Sequence, residues 1–156
     1  MIEITIPGRG KYTIKNVVLD LNGTIAKDGK IIGGVKEKLA MLSQKVDIFL
    51  VTADNNKNAE LLTRDLPITL YKIKETEEDD QKLRVVLKKG KNNAVSIGNG
   101  CNDVSMLKES AIGICIVGGE GASAEAMMAS DLVVASINDA LDLLLKPHRL
   151  KATLRR

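Results

Sequence analysis

Several polar side chains follow hydrophobic runs in this sequence, and their types could support phosphoryl chemistry. Asp20 ends the run Val17-Val18-Leu19, and Gly23 follows shortly afterwards. An aliphatic run without alternation is typical of a strand buried on both faces. Glycine allows a sharp turn after the carboxylate, at the strand end where open α/β sheets bind their ligands. The same pattern also fits an aspartate that only ends a strand and stabilises a turn.

Two further predicted strand ends carry polar residues. A second buried run, residues 46–51, ends at Thr52, and a third, residues 94–97, is followed by a loop that contains Asn99 and Asp103. The carboxyl ends of neighbouring parallel strands converge on one crevice, so these side chains should lie close to the first aspartate.

Together these residues could bind a metal ion and a phosphoryl group. Asp20 and Asp103 would form a two-carboxylate site suited to Mg²⁺, which keeps several of its waters. Thr52 could donate a hydrogen bond to a phosphoryl oxygen, and Lys82, on a predicted helix, could neutralise phosphoryl charge. Asp20 would then attack phosphorus as a carboxylate nucleophile.

The elements that must position these residues alternate between strands and helices, which predicts a doubly wound parallel α/β sheet. We expect one domain: an N-terminal β-hairpin at 1–15, a core at 16–136, and a C-terminal helix with a basic tail at 137–156. The polar turn at 27–30 is too short to hold a cap domain. Further strands are predicted at 68–73, 111–117 and 132–135, and helices at 35–45, 56–64, 75–87, 104–110, 122–129 and 137–145, with Pro147 ending or kinking the last.

Composition excludes several classes of function. With 156 residues, 44% of them hydrophobic, the chain is long enough to bury a core. Aromatic residues make up only 2%, which argues against stacking on single-stranded nucleic acid, although the basic tail could contact phosphates. No apolar run is long enough to span a bilayer and no signal peptide is recognisable, so a cytoplasmic protein is expected. The two cysteines, Cys101 and Cys115, indicate a reducing compartment.

Four ordered segments extend over nearly the whole chain: Asp20-Leu21-Asn22-Gly23-Thr24, Val51-Thr52, Lys82 with Val85-Val86, and Gly98-Asn99-Gly100-Cys101-Asn102-Asp103 with Met106-Leu107. Together they resemble the motifs of the haloacid dehalogenase (HAD) superfamily. They are most similar to those of cap-free, soluble relatives of the phosphorylation domain of P-type ATPases. The resemblance implies a Rossmann-like three-layer fold, an aspartyl-phosphate intermediate and a Mg²⁺ cofactor.

The resemblance also implies roles for individual residues. Asp20 would be the nucleophile, and Lys82 would steady its carboxylate, with Lys88, Lys89 and Lys91 as rival lysines. Asp103 would hold or orient the metal. The remaining roles would be phosphoryl binding by Thr52, Ala53, Lys82 and Gly23, and metal binding by Asp20, the Asn22 carbonyl, Asn99 and Asp103.

Two positions depart from the superfamily pattern. Asn22 stands where phosphatases usually carry an acid–base aspartate, and an amide has no proton to exchange near neutral pH. Asn99 stands where a metal-binding aspartate is usual, which lowers the charge of the site.

The sequence therefore predicts a slow, Mg²⁺-dependent phosphatase or phosphotransferase acting on a phosphorylated small molecule or a phosphoprotein. The alternatives are a weak or inactive module that binds a phosphorylated ligand or a protein partner, and a switch phosphorylated by a small phosphodonor. Assembly into a homo-oligomer is also compatible with the sequence.

Overall fold

The computed structural model describes residues 1–54 and 57–156. Short aliphatic runs form most of its strands, as their β-branched composition predicts. Along the described residues the strands are β1 (Ile2–Ile6), β2 (Gly10–Ile14), β3 (Asn16–Asp20), β4 (Ala26–Lys27), β5 (Lys30–Ile31), β6 (Asp47–Thr52), β7 (Thr69–Lys72), β8 (Ala94–Gly98), β9 (Ile112–Ile116) and β10 (Leu132–Val134).

The helices lie between the strands of the main sheet and after its last strand. In the described part of the chain they are α1 (Val35–Ser43), α2 (Lys57–Thr63), α3 (Glu78–Lys89), α4 (Val104–Glu109), α5 (Ala124–Ala129), α6 (Ile137–Leu145) and α7 (Pro147–Leu154). The predicted helix at 56–64 is present from Lys57, and its first predicted position lies outside the described residues. None of these helices is both long and apolar enough to cross a membrane.

Six parallel strands form the central sheet in the order β10-β9-β8-β3-β6-β7. Every residue of β3 is buried, because the strand lies in the middle of the sheet and helices cover both faces. One face packs with α1 and α6 through residues such as Leu19, Leu39 and Leu141, and the opposite face packs through Val18, Val86 and Met106. The predicted α/β, Rossmann-like parallel architecture is confirmed.

The two ends of the chain pack against each other. The predicted N-terminal hairpin is present as antiparallel β1 and β2, and α7 lies against β1. Leu150 and Leu154 of α7 are buried, and the Arg156 N–H donates to the Pro7 carbonyl at 3.0 Å. A helix, α7, thus occupies the segment in which the sequence indicated a basic tail. Pro147 lies at its start, where proline is well tolerated because the first helical turn does not need its N–H.

Helix α3 begins later than its acidic run predicts. The run starts at Glu75, but the helix begins at Glu78, after Glu77 adopts a φ of 54°. The Gln81 side chain accepts from the Lys74 N–H and donates to the Lys74 carbonyl, both at 3.1 Å. These bonds hold the preceding residues as a loop at the carboxyl edge of the sheet.

Candidate active site

The three predicted strand ends meet because their strands are neighbours in the sheet. Asp20 is the last residue of β3 and lies opposite Val51 of β6, one residue before Thr52. On the other side of β3, β8 delivers the loop that begins after Gly98. The three ends border an open cavity of about 530 Å³, lined by Asp20, Asn22, Thr52, Ala53, Asp54, Glu75, Glu78, Asn99, Gly100 and Asn102.

A buried lysine joins two carboxylates beneath this cavity. The Lys82 Nζ donates to Asp20 Oδ1 at 2.8 Å and to Asp103 Oδ1 at 2.7 Å. Lys82 and Asp103 are fully buried, and Asp20 is 7% exposed. A buried charge is tolerated only where it is paired and hydrogen-bonded, so the cation fixes both carboxylates in place.

The three rival lysines have different surroundings. Lys89 Nζ lies 4.1 Å from the centre of the Phe49 ring, and Lys91 pairs with Glu109 at 3.0 Å. Lys88 is exposed on α3. Of the four candidates, Lys82 is thus the one that contacts Asp20.

Asp103 uses both of its oxygens for internal contacts. Besides the lysine bond, its Oδ2 accepts from the backbone N–H groups of Asn99 at 2.9 Å and Gly100 at 3.0 Å. A Cβ at Gly98 would lie 2.5 Å from Asp103 Cγ, so glycine is required there for the carboxylate to fit. These contacts hold the Asp103 carboxylate in place, and its bond to Lys82 positions the ammonium beside Asp20. A metal role of Asp103 stays a prediction.

The surroundings of Asp20 alter its protonation. Burial, and next the charge of Asp103, raise the pKa of Asp20 to about 7 despite the opposing effect of Lys82. Burial disfavours the charged Lys82, but the two carboxylates more than offset it and raise the pKa of the ammonium. The Asp20 carboxyl therefore changes protonation near neutral pH, beside a lysine that remains protonated.

The turn after Asp20 is shaped by Gly23, with a φ of 76° that an L side chain rarely adopts. The Gly23 N–H donates to the Ala26 carbonyl at 2.9 Å and closes this turn. Asn22, the residue before Gly23, is exposed and lines the cavity. The Thr24 hydroxyl lies 3.5 Å from both Asp20 Oδ2 and Asn99 Oδ1, so it makes only long contacts. The Leu21 backbone also donates a hydrogen bond to the Asp20 carboxylate.

Thr52 presents a hydroxyl to the same cavity. Its Oγ1 accepts from the Asp54 N–H at 3.1 Å, which leaves the hydroxyl hydrogen able to donate elsewhere. Ala53 follows along the cavity wall. Two of the predicted phosphoryl-binding residues, Thr52 and Ala53, thus lie side by side on the cavity wall. A third, Lys82, lies beneath the wall and contacts Asp20.

The start of α3 contributes residues that the sequence interpretation missed. The Asn102 amide donates to Glu78 Oε2 at 2.6 Å, and the Ser105 N–H donates to Asp79 Oδ1 at 2.8 Å. The Ser105 hydroxyl also donates to Asp79 Oδ2. The acidic run was interpreted as a match to the helix dipole, but its spacing held a further signal. Glu78 and Asp79 precede Lys82 by four and three residues and so share its helical face.

The donor atoms around the cavity are compatible with a hard divalent cation. Within residues 1–54 and 57–156, no group of three or more histidine, cysteine or acidic side chains is arranged to hold a metal. Of the residues predicted to bind the metal, Asp20 contributes a carboxylate to the cavity wall, and Asn22 and Asn99 contribute amide or carbonyl oxygens. Mg²⁺ often takes one or two carboxylates together with waters and substrate phosphate. This donor set fits Mg²⁺ and predicts weak binding.

Sequence comparisons with known proteins find relatives that match part of their own length. No family model matches the chain. It is 56% identical over 61 residues to an uncharacterized protein of Methanocaldococcus jannaschii, a match covering 39% of this chain and 66% of that protein. It is 31% identical over 136 residues to a copper-exporting P-type ATPase of Staphylococcus epidermidis, covering 85% of this chain and 16% of the ATPase. The chain therefore spans less than two thirds of the length of either relative.

Solved structures cover nearly the whole chain. A protein from Streptomyces avermitilis assigned to the HAD family of hydrolases has a TM-score of 0.71 at 17% identity, over 87% of both chains. The cobalt-bound deoxy-D-mannose-octulosonate 8-phosphate phosphatase of Haemophilus influenzae gives 0.72 at 13%, over 92% of this chain and 94% of that one. The corresponding phosphatase of Moraxella catarrhalis, in complex with magnesium, phosphate and KDO, gives 0.66 at 17%, over 91% and 94%. The resemblance predicted from the four motifs is confirmed in the fold.

The raised pKa of Asp20 predicts how its removal affects stability. Because the folded-state pKa exceeds the unfolded one, the contribution of Asp20 to stability is fully present below about pH 4 and is lost as the pH rises through about 7. Asp20→Asn leaves Lys82 paired with Asp103, so the metal-free variant should be more stable than wild type at about pH 8, by up to ~4 kcal/mol.

Urea unfolding in chelator at about pH 8 and about pH 5 measures this difference, which should shrink at the lower pH. Asp47→Asn, at the exposed opposite end of β6, is the control and should show no such pH dependence. An Asp20→Asn protein less stable than wild type at the higher pH would contradict the electrostatic interpretation.

Proposed function

We propose that this chain, which has the fold of the HAD superfamily, is a Mg²⁺-dependent phosphatase or phosphotransferase that acts through an aspartyl-phosphate on Asp20. The observation that carries the proposal is the Lys82 ammonium held between Asp20 and Asp103 at the floor of the cavity. Such a constellation orients one carboxylate for attack and supplies positive charge where phosphoryl charge would lie. The 31% identity to a P-type ATPase over 85% of this chain supports the same assignment.

The first step would transfer a phosphoryl group to the carboxylate. Asp20 Oδ1 is held by Lys82, so Oδ2, with its long contact from Thr24, is the better placed nucleophile. Attack of Oδ2 on phosphorus forms the new P–O bond while the ester P–O bond breaks and the leaving oxygen departs with its electron pair. The Thr52 hydroxyl would donate to a phosphoryl oxygen, and a bound Mg²⁺ would neutralise phosphoryl charge.

The second step would return the carboxylate. Water attacks the phosphorus of the acyl phosphate, the P–O bond to Asp20 breaks, and inorganic phosphate leaves. Asn22 faces the cavity at the position where a general acid–base group would assist both steps, and its amide has no proton to exchange. Both a slow second step and a preference for substrates with good leaving groups follow from this residue.

The open cavity favours a phosphorylated small molecule or a phosphoprotein as substrate. No cap domain is inserted after Asp20, where the chain makes only the short β4–β5 hairpin. The cofactor Mg²⁺ would be held by Asp20, the Asn22 carbonyl and Asn99, with Asp103 positioning Lys82. A cytoplasmic site of action is consistent with the free thiols of Cys101 and Cys115.

A second candidate function rests on the two amides. Asn22 and Asn99 both stand at acid positions of the motif pattern and both line the cavity. The chain would then be a module that binds a phosphorylated ligand or partner with little turnover. Retention of the Lys82–Asp20 pair favours the enzyme.

The proposed activity is tested by hydrolysis of an aryl phosphate. We expect turnover that requires Mg²⁺ and is lost in Asp20→Asn, because the variant has no carboxylate nucleophile. Asp47→Asn, an equivalent change at the far end of the sheet, should leave the rate unchanged. If wild type binds Mg²⁺ and phosphate by calorimetry but shows no turnover, the binding module replaces the enzyme as the better account.

The role of the amide at position 22 is tested by Asn22→Asp. Restoring an ionisable group should accelerate hydrolysis by up to ~10²–10⁴-fold, the usual contribution of general acid–base help. A burst of leaving group followed by slow turnover in wild type, measured by stopped flow, would be replaced by linear kinetics in the variant. Unchanged or slower turnover in Asn22→Asp would show that protonation at this position does not limit the reaction.

A further inference from the structure

The loop between β9 and α5 is bound to the loop that carries Asn99. The Asn99 side-chain amide donates to the Gly121 carbonyl at 3.1 Å, and the Asn99 carbonyl accepts from the Ser123 N–H at 2.8 Å. Gly118 and Gly121 have positive φ values of 55° and 76°, and Gly118 lies against the Gly23 carbonyl. Two hydrogen bonds thus fix this loop beside one of the predicted metal ligands.

The loop brings a carboxylate to the same place. A Cβ built at Gly23 would lie 2.6 Å from Glu120 Oε2, 2.7 Å from Asn99 Nδ2 and 3.1 Å from Asn99 Oδ1, so the carboxylate and the amide both lie over the Cα of Gly23. Gly23 is buried beneath them in the turn that follows Asp20. Within the described residues, the Glu120 carboxylate makes no hydrogen bond or ion pair, and the Lys27 ammonium lies against the neighbouring Gly119.

The amide at position 99 is itself required for this arrangement. An N–H donor is needed to bind the Gly121 carbonyl, and an ionised aspartate has no such donor. A carboxylate at 99 would also face the Glu120 carboxylate across Gly23 and repel it. The amide at 99 and the acid at 120 are therefore complementary: the first holds the loop that delivers the second.

We propose that Glu120 supplies to the divalent-cation site the negative charge that Asn99 does not. Its carboxylate would act as a further oxygen donor, directly or through a cation-bound water, beside Asp20 and Asn99. Hard cations favour carboxylate oxygens, and an added negative charge strengthens their binding. This assignment rests on the proposed function, because it concerns the cation that the proposed reaction uses.

The test measures binding of Mn²⁺ alone, which accepts the same oxygen donors as Mg²⁺ and is counted in its free form by electron paramagnetic resonance. Glu120→Gln should weaken Mn²⁺ binding about tenfold or more, as loss of a supporting metal-site carboxylate usually does. Glu125→Gln removes the same charge from an exposed site at the start of α5 and should bind Mn²⁺ like wild type. Thermal unfolding of the metal-free proteins checks that both variants are folded.

A compensating variant sharpens the test. Asn99→Asp in the Glu120→Gln background should recover most of the lost affinity, because it returns one carboxylate to the site. Equal Mn²⁺ affinity in Glu120→Gln and Glu125→Gln would overturn the assignment of Glu120 while leaving the proposed phosphatase intact. A double variant without recovery would overturn the claim that Glu120 stands in for an acid at 99. Wild-type protein that binds no Mn²⁺ would overturn both this inference and the metal dependence of the proposed function.

Discussion

The candidate site depends on one buried interaction, the Lys82 ammonium shared by Asp20 and Asp103. Two carboxylates and one cation leave a net negative charge beneath the cavity, in surroundings where an unpaired charge would be costly. Burial, and next the charge of Asp103, raise the pKa of Asp20. A divalent cation or a proton would relieve the net negative charge, so the metal-free site is electrostatically incomplete.

The rest of the fold holds this interaction in place. The neighbouring strands β3, β6 and β8 bring their carboxyl ends together, and α3 presents Lys82 from beneath. The first turn of α3 is bonded through Glu78 to Asn102, in the loop after β8, and through Asp79 to Ser105 of α4, so the lysine and its second carboxylate are positioned together. The sheet fixes the position of Asp20, while Lys82 of α3 and Asp103 set its electrostatic surroundings.

Local patterns were sufficient to predict most of the architecture and which side chains meet at the carboxyl edge of the sheet. Largely apolar runs mark β3, β6 and β8, and polar residues follow them because a parallel sheet buries the strand and exposes its end. Lys82 was preferred among four lysines because its helical register and the Val85-Val86 pair after it matched the third motif best. These features are encoded over a few consecutive residues.

Features that depend on distant contacts were not accessible in the same way. Pro147 was interpreted as ending or kinking α6, which does end before it at Leu145. The helix that begins at Pro147 was not predicted, because the buried face of α7 has meaning only once β1 is there to receive it. The internal contacts of Asp103 depend on the missing side chain at Gly98, and the position of Glu120 depends on a loop held by Asn99. The acidic run before Lys82 suited a helix dipole equally well, and only the tertiary structure reveals its contacts with Asn102 and Ser105.

The central claim is that Asp20 becomes covalently phosphorylated. The most direct measurement is to mix the protein with Mg²⁺ and a small acyl phosphate, quench in acid, reduce with borohydride and map the product by mass spectrometry. The account predicts conversion of Asp20 to homoserine, because borohydride reduces an acyl phosphate to the alcohol but leaves a free carboxylate unchanged. Protein that binds Mg²⁺ yet shows no modification at Asp20, or carries it on another residue, would contradict the account.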